Sequence, residues 1–203
     1  DIMKRLQEYN FNGKIYPVNP KGGIIEGLQA YTSVLEVPGE VDLAIIVVNA
    51  KFVLSTIDQC HEKGIKGLCI ITAGFKETGK EGAEVEKQLV EKIKEYGMRC
   101  VGPNCLGVVN THPDVRMDGC FAESLPERGN IGFVSQSGAL GGGILNILKD
   151  LNLGFAQFIS IGNQADVNAE TALEYWENDE DVKQILLYME SINDPDNFRK
   201  LDT

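Results

Sequence analysis

The sequence predicts an α/β fold built on a doubly wound parallel sheet. Short apolar runs alternate with longer segments in which apolar residues recur at helical spacing. Repeated strand–helix–strand order of this kind is typical of parallel sheets covered by helices on both faces. The runs at residues 41–48 and 67–72 are continuously apolar, which indicates strands buried on both faces. The chain has 203 residues and is 43% hydrophobic, enough for one large domain or two small ones.

The first elements are a helix and a short strand. The apolar side chains of residues 1–9 share one helical face, and residues 10–13 end that helix. An α/β domain normally opens with a strand, so we expect the chain to begin inside a domain. Residues 15–18 predict a strand that ends in the turn Asn19–Gly23. Lys21 in that turn could meet a phosphate group, although a solvated turn lysine is the commoner case.

Two strand–helix pairs follow. The apolar run 41–48 precedes a helix over residues 51–63, and the run 67–72 precedes a long amphipathic helix over residues 80–96. Residues 98–101 predict the next strand. We expect the inward face of the first of these helices to consist of Phe52, Val53, Ile57 and Cys60.

Several small or polar residues follow directly after these predicted strands. Ligands of doubly wound sheets bind at the carboxyl ends of the strands, so one crevice could collect these residues. The candidates for ligand binding in this crevice are Lys21, Asn49, Thr72, Ala73, Gly74 and Asn104.

Residues 112–128 lack periodicity and contain two prolines, which predicts a linker. We therefore place one domain over residues 1–122 and a second over residues 129–203. Three strands are few for a typical sheet, so we expect the second domain to be cut short as well. Its predicted elements beyond residue 150 are strands at 155–161 and 182–189 and a helix at 169–178.

The central stretch, residues 129–145, predicts a strand, a turn of small residues and a helix. We call the turn, Ser135–Ala139, the phosphate seat, because free N–H groups and the helix dipole at such a junction attract an anion. A serine that caps the helix and binds nothing is about as good an interpretation of the turn alone. Three glycines, 141–143, favour close approach of a ligand or another helix. Neither common nucleotide-loop fingerprint is present.

Within the phosphate seat the candidate catalytic residues are Ser135, Ser137, Gly138 and Ala139. Glu190 joins them, because it stands directly after the predicted strand 182–189, where active sites form. An acid that caps a following helix is the structural alternative for Glu190.

Composition excludes several classes of protein. The net charge of −11 disfavours a surface that binds nucleic acid. No apolar run approaches the roughly 20 residues of a membrane span, and no signal peptide is recognised. The five cysteines lack C-x-x-C spacing and the two histidines, His61 and His112, are loop or surface residues by context, so we expect free thiols, no metal site and a cytoplasmic protein.

Six segments in family order resemble the α part of the nucleoside-diphosphate-forming acyl-CoA synthetases, which include succinyl-CoA synthetase and, more closely, ADP-forming acetyl-CoA synthetase. Each segment is weak alone, but the ordered set spans nearly the whole chain. The segments are Asn19–Gly23 (NPKGG), Ile71–Gly74 (ITAG), Gly102–Gly107 (GPNCLG), Ser135–Leu140 (SQSGAL), Ser160–Asp166 (SIGNQAD) and Leu187–Glu190 (LYME).

The resemblance implies a Rossmann-like CoA-binding domain followed by a partial flavodoxin-like ligase domain. It implies that Lys21 and the region of Thr72 contact coenzyme A, that the helix after Ser137 faces a phosphohistidine, and that Glu190 hydrogen-bonds that histidine. The implied reaction converts acyl-CoA, ADP and phosphate to the acid, CoA and ATP, the phosphate passing from an acyl phosphate to the histidine and then to ADP. ATP or ADP and Mg²⁺ would bind a partner, an ATP-grasp β subunit or fused domain, in an oligomer.

Two features of the family are missing from this sequence. The glycine-rich CoA turn would follow a first strand that the chain lacks, and the phosphorylated histidine would lie beyond Thr203. Neither His61 nor His112 matches it, so we expect the chain to be inactive alone. The competing hypothesis is a CoA- or ligand-sensing regulatory module of a protein acetyltransferase, in which that histidine is replaced.

Overall fold

Strands and helices alternate along most of the chain. The computed structural model describes residues 2–122 and 127–192. The helices are α1 (Ile2–Glu8), α2 (Val53–Lys63), α3 (Lys80–Tyr96), α4 (Gly138–Asp150) and α5 (Ala169–Trp176). The strands are β1 (Ile24–Ile25), β2 (Leu28–Gln29), β3 (Leu43–Ile46), β4 (Gly67–Ile70), β5 (Arg99–Val101), β6 (Gly107–Asn110), β7 (Met117–Cys120), β8 (Arg128–Ser135), β9 (Phe155–Ser160) and β10 (Gln184–Tyr188).

The first sheet consists, within the described residues, of the parallel strands β3, β4 and β5 in that order. Helices α2 and α3 cover it, and α3 has the bounds that its periodicity predicts. Val53 and Ile57 of α2 are fully buried and Cys60 nearly so, as expected. Phe52 was expected to be buried too, but it lies in a 3-10 turn before α2 and is 52% exposed.

The second sheet has the order β10-β8-β9-β6-β7. Its first three strands are parallel, whereas β6 and β7 add on as antiparallel strands. Successive side chains of β8 point to opposite faces, so that Phe133 packs with α4 while Val134 packs with α5. Helices therefore cover both faces of β8 and β9, which confirms the doubly wound α/β fold.

The predicted linker at residues 112–128 is wrong in its middle, because Met117–Cys120 forms β7. Strands β6 and β7 belong to the predicted first domain by sequence, yet β6 pairs with β9 of the second sheet. Strands of four residues are too short to show a periodic pattern, and their pairing with distant segments leaves no local signal. This explains why β7 was not predicted. The division into residues 1–122 and 129–203 stays a prediction.

Residues 15–18 do not form the predicted strand. Val18 makes a single parallel bridge to Tyr31 instead. A small hairpin that periodicity did not indicate, β1 and β2, follows the turn at Asn19–Gly23. Its tight turn uses Glu26 and Gly27, both with positive φ, at 47° and 78°.

Two apolar runs that were predicted to form strands, 41–48 and 182–189, are partly exposed. Val47 is 55% exposed, because β3 ends at Ile46 and is the first strand of its sheet within the described residues. Ile185 is 45% exposed, because β10 is the outermost strand of the other sheet within the described residues. An outermost strand has a neighbour on one side only, so its apolar residues lose cover that a central strand keeps.

All five cysteines are free and buried, in line with the expected free thiols. Burial raises the pKa of the Cys60 thiol to about 11 and that of Cys120 to about 12, so both are protonated at neutral pH. Across residues 2–122 and 127–192, the helices are all too short or too polar to cross a membrane.

Candidate functional site

Three neighbouring parallel strands end at the same level. Ser135, the last residue of β8, lies opposite Ser160 of β9 on one side and Tyr188 of β10 on the other. Because the strands run in the same direction, the segments that follow them emerge at one edge of the sheet. This edge brings together the phosphate seat, the turn after Ser160 and the segment that contains Glu190.

The phosphate seat has the backbone geometry of a helix start. Ser137 is the N-cap of α4, and its hydroxyl oxygen accepts a long hydrogen bond of 3.4 Å from the Leu140 amide. The amides of Gly138 and Ala139 meet no acceptor among residues 2–122 and 127–192. Two unpaired amides and the positive end of the helix dipole are suited to an anion.

Ser135 supports this turn from below. Its side chain is fully buried, and its hydroxyl donates a 2.7 Å hydrogen bond to the carbonyl oxygen of Ser137. The carbonyl oxygen of Ser135 accepts the Ile161 amide at 2.9 Å. The Ser135 hydroxyl therefore shapes the turn, and the backbone of Gly138 and Ala139 is the part that faces outward.

One of the three glycines of α4 has a clear packing reason. A Cβ on Gly141 would lie 3.0 Å from the Cβ and Oγ of Ser135 and 3.2 Å from the Phe158 ring. A glycine here lets the helix approach β8 closely enough to place its first turn over the strand end. A Cβ on Gly143 would meet open space, so the expected close approach accounts for Gly141 and not for the whole run.

Gln136 connects the phosphate seat to Glu190. Its side-chain oxygen accepts hydrogen bonds from the backbone amides of Glu190 at 2.8 Å and Ser191 at 3.1 Å. Its backbone amide donates to the Tyr188 carbonyl at 2.9 Å. Its Nε2 donates to the Ser191 hydroxyl at 3.2 Å. Glu190 thus lies beside the helix start, on an exposed segment whose backbone Gln136 fixes. Gln136 was not among the predicted site residues, although its position between the strand and the N-cap was an available signal.

The candidate CoA residues gather at the carboxyl ends of the first sheet. The Thr72 hydroxyl, beyond β4, donates to the Val48 carbonyl at 2.7 Å, beyond β3. The Thr72 carbonyl accepts the Asn104 amide at 3.0 Å, beyond β5. Asn49 follows Val48 and caps a 3-10 turn with its side chain. The structure thereby brings Asn49, Thr72, Ala73, Gly74 and Asn104 to one edge.

Lys21 is the exception among these candidates. Its amide donates to the Asn19 side chain at 2.9 Å, a hydrogen bond within its own turn. Its side chain is exposed, and no described contact ties it to the crevice.

The loop after β4 already holds an anionic oxygen. The Gly74 and Phe75 amides both donate to Oε1 of Glu77, at 2.5 and 3.1 Å. Burial acts to raise the pKa of Glu77, but the hydrogen bonds from Asn163 and from these two amides outweigh it and lower that pKa. The paired amides of this loop are therefore able to bind a negatively charged oxygen.

Asn163 joins the two sheets. It follows β9, it is 7% exposed, and its Nδ2 donates to Glu77 at 2.6 Å and to the buried Glu86 of α3 at 2.7 Å. Its Oδ1 accepts Nδ2 of Asn104 at 3.2 Å. Asn163 therefore connects the loop after β9 to the loop that carries the candidate CoA residues.

Replacing Asn163 by alanine should destabilise the protein by about 2 kcal/mol, because the change removes the Nδ2 donor that the Glu77 and Glu86 carboxylates share and leaves the buried Glu86 with its contacts to Lys76. The free energy of unfolding is measured by denaturant titration. Asn178→Ala, at an exposed position, is the matched control and should change that free energy by less than about 0.5 kcal/mol. Equal losses in the two variants would contradict the assigned role.

Both histidines lie outside the phosphate seat. The ring of His61 stacks on Tyr96, with centroids 3.9 Å apart and planes 5° apart. His112 accepts the Asp114 amide through Nδ1 at 3.2 Å. That neither histidine is the phosphorylated one stays a prediction.

Two family patterns match the chain. The CoA binding domain matches residues 1–111, and the succinyl-CoA ligase like flavodoxin domain matches residues 128–201. The first pattern includes the candidate CoA residues, and the second includes the phosphate seat and Glu190.

Curated relatives and solved structures match nearly the whole chain. The α subunit of acetate–CoA ligase [ADP-forming] II from Pyrococcus furiosus is 49% identical, with 98% of this chain and 42% of the relative covered. Acetate–CoA ligase [ADP-forming] from Methanocaldococcus jannaschii is 46% identical, with 95% and 27% covered. The structure of the dinucleotide forming acetyl-coenzyme A synthetase 1 of Ca. Korarchaeum cryptofilum in complex with phosphate and ADP is 37% identical, with a TM-score of 0.92 and 98% and 43% covered. The chain thus spans less than half the length of these proteins.

Proposed function

The chain belongs to the CoA binding domain family, and from this membership we propose that it is the CoA-binding and phosphoryl-handling part of an ADP-forming acyl-CoA synthetase. The proposal rests on one arrangement above all. A helix start with two unpaired amides lies beside Glu190, at the ends of three adjacent parallel strands. The α subunit of a relative that is 49% identical is named for this chemistry.

The proposed overall reaction converts acyl-CoA, ADP and phosphate to the free acid, CoA and ATP. A histidine phosphorylated in between divides one difficult transfer into two easier ones. Because neither His61 nor His112 lies in the phosphate seat, we propose that another part of the whole protein supplies that histidine. The amides of Gly138 and Ala139 would donate to the phosphoryl oxygens, which gain negative charge density during transfer. Glu190 would accept the other ring N–H of the imidazole and thereby fix its orientation.

We propose that the crevice of the first sheet binds a phosphate or carbonyl group of CoA, which would replace the Glu77 carboxylate on the amides of the loop after β4. The supporting observation is that two amides of the loop after β4, those of Gly74 and Phe75, hold a carboxylate oxygen. Asn49, Thr72, Ala73 and Asn104 surround this loop, and we propose them as CoA contacts with Lys21 as a charged partner at the rim. Coenzyme A supplies the thiol that leaves or enters in acyl transfer.

Nucleotide and Mg²⁺ are proposed to bind elsewhere. The described residues contain no cluster of three or more acidic, cysteine or histidine side chains that could hold a metal ion. From the family resemblance we assign ATP or ADP and Mg²⁺ to an ATP-grasp subunit or fused domain, with a small carboxylic acid as the other substrate. The assembly of that partner with this chain would be an oligomer.

The decisive experiment labels the full-length protein together with its nucleotide partner, using ATP labelled at the γ position. We expect label on the protein that is lost in acid and kept in base, the behaviour of phosphohistidine. CoA binding without any such label would favour a ligand-sensing module of a protein acetyltransferase over the ligase. Absence of both activities would remove the proposal entirely.

A further inference from the structure

Gln164, in the turn after β9, is buried and held in an uncommon conformation. It is 8% exposed, and its backbone has a φ of 54°, in the left-handed region that residues other than glycine seldom adopt. Its amide donates to the Ile161 carbonyl at 3.0 Å, so the turn is well defined. The side chain therefore lies inside the edge formed by the ends of β8, β9 and β10.

One end of the Gln164 carboxamide has no partner. Its Nε2 reaches the Ser191 hydroxyl at a long 3.5 Å, whereas its Oε1 is buried and finds no hydrogen-bond partner among residues 2–122 and 127–192. Buried polar atoms are nearly always paired, because an unpaired one forfeits its contacts with water and gains nothing in return. A polar ligand at the edge that carries the phosphate seat is one partner that would satisfy this carboxamide end.

Ser191 links this carboxamide to the phosphate seat. The Ser191 oxygen accepts a hydrogen bond from Nε2 of Gln136 at 3.2 Å, and Gln136 is the residue that also fixes Glu190. The hydroxyl proton of Ser191 remains available to donate. A half-turn of the Gln164 carboxamide lets its oxygen accept that proton and turns its NH₂ group to the unpaired position.

We propose that Gln164 is a phosphoryl-binding residue of the phosphate seat, which it completes by donating its side-chain N–H to a phosphoryl oxygen. The inference rests on the proposed function and gives a role to a residue for which the family resemblance implied none. Phosphoryl oxygens are acceptors only, so the Gly138 and Ala139 amides and a carboxamide N–H together make a donor set of matching chemistry. The hydrogen bonds from Gln136 to Ser191 and between Ser191 and Gln164 then orient the Gln164 carboxamide. Gln136, at the start of this series, also positions Glu190.

Two variants of the full-length protein test this, both measured by calorimetric binding of inorganic phosphate and by labelling with γ-labelled ATP. Gln164→Met keeps the volume and removes both polar atoms. Gln164→Gly removes the side chain at a backbone angle that glycine adopts freely, so folding should be retained. We expect each to weaken phosphate binding at least about tenfold, the loss typical of a hydrogen bond to a charged group. Gln59→Met, at an exposed site on α2, should bind phosphate like the wild type.

The possible results separate the two proposals. Wild-type phosphate affinity in the folded Gln164→Met and Gln164→Gly proteins, with labelling of the wild type intact, would overturn the role of Gln164 and leave the ligase function standing. Unfolding of both variants would show a structural role and would also overturn it. A wild type that neither binds phosphate nor takes up label would refute the proposed function and this inference together. Weakened phosphate binding with normal labelling would assign Gln164 to free phosphate rather than to the phosphohistidine, and weakening of both would assign it to the transferred group.

Discussion

Replacing Arg5 by methionine should destabilise the protein by about 4 kcal/mol at neutral pH, the largest loss of stability that we expect from any single substitution. Arg5 of α1 forms an ion pair with Asp118 of β7, with Nη2 and Oδ2 2.6 Å apart. The Asp118 side chain is fully buried and that of Arg5 is 10% exposed. Methionine fills similar space but leaves the carboxylate buried without its counter-charge.

The loss should depend on pH in a defined direction. Burial raises the pKa of Asp118, and the Cys120 thiol and Arg5 act against that rise. Without Arg5 the folded-state pKa moves higher still, so the folded variant binds a proton that the unfolded chain releases. Stability of the variant then falls as pH rises above the unfolded value near 3.8. Below that pH Asp118 is protonated in both states, and the extra loss should shrink.

A double variant separates charge from packing. Arg5→Met combined with Asp118→Leu replaces the whole pair by apolar groups and should recover most of the loss, since buried pairs seldom outperform apolar packing. The free energy of unfolding is measured by denaturant titration at pH 7 and near pH 4. An Arg5→Met loss below about 1 kcal/mol, or one that grows toward low pH, would show that Asp118 does not depend on Arg5.

Elements whose signal is local were predictable from the sequence. The 17 residues of α3 show a helical stripe that decides its bounds, and glycine follows at position 97 to end it. The helix start at Ser137 was predictable for the same reason, because an N-cap serine before an apolar period marks it. Each of these patterns specifies a helix boundary through residues that lie close to that boundary in the sequence.

Features that depend on distant partners were not predictable. Asp118 looks like a loop residue in Met117–Cys120, and its burial depends on an ion pair with Arg5, 113 positions earlier, together with the Cys120 thiol. The exposure of Ile185 follows from the place of β10 at the outside of its sheet, which an apolar run cannot encode. For this reason the sequence predicted the α/β architecture but missed strand β7 and the pairing of β6 with β9.

The candidate site divides along the same line. Residue types that favour an anion at a helix start identified Ser135–Ala139, and the end of an apolar run identified Glu190. That Gln136 would join the two depends on β8 and β10 being neighbours, a pairing between residues 53 positions apart at Ser135 and Tyr188. The pairing of β8 with β9 brings the turn that carries Gln164 to the same edge. The sequence was sufficient to identify candidate residues by their chemistry, whereas their placement in one site depends on how the strands pair.

Gly138→Pro should slow phosphorylation of the full-length protein about 100-fold, the effect typical of removing one backbone donor to a developing oxyanion. Gly138 is the first residue of α4, where proline is tolerated because its missing N–H has no partner in the helix. Ser137 has a φ of −92° and a ψ of 120°, an extended conformation compatible with a following proline. The substitution therefore deletes a single N–H from the phosphate seat and leaves the helix in place.

Gly138→Ala is the matched control, since it adds a Cβ and keeps the N–H. That Cβ would have Leu106 as its nearest neighbour, at an ordinary 3.7 Å, so the alanine variant should fold and label at close to the wild-type rate. Both proteins are compared by the initial rate of label uptake from γ-labelled ATP and by their thermal unfolding midpoints. A proline variant that labels as fast as the alanine variant would mean that the phosphoryl group does not use this amide. Equal slowing of both would point to crowding against Leu106. Only a proline-specific loss with an unchanged midpoint isolates the N–H, because the two variants differ chiefly in whether that donor is present.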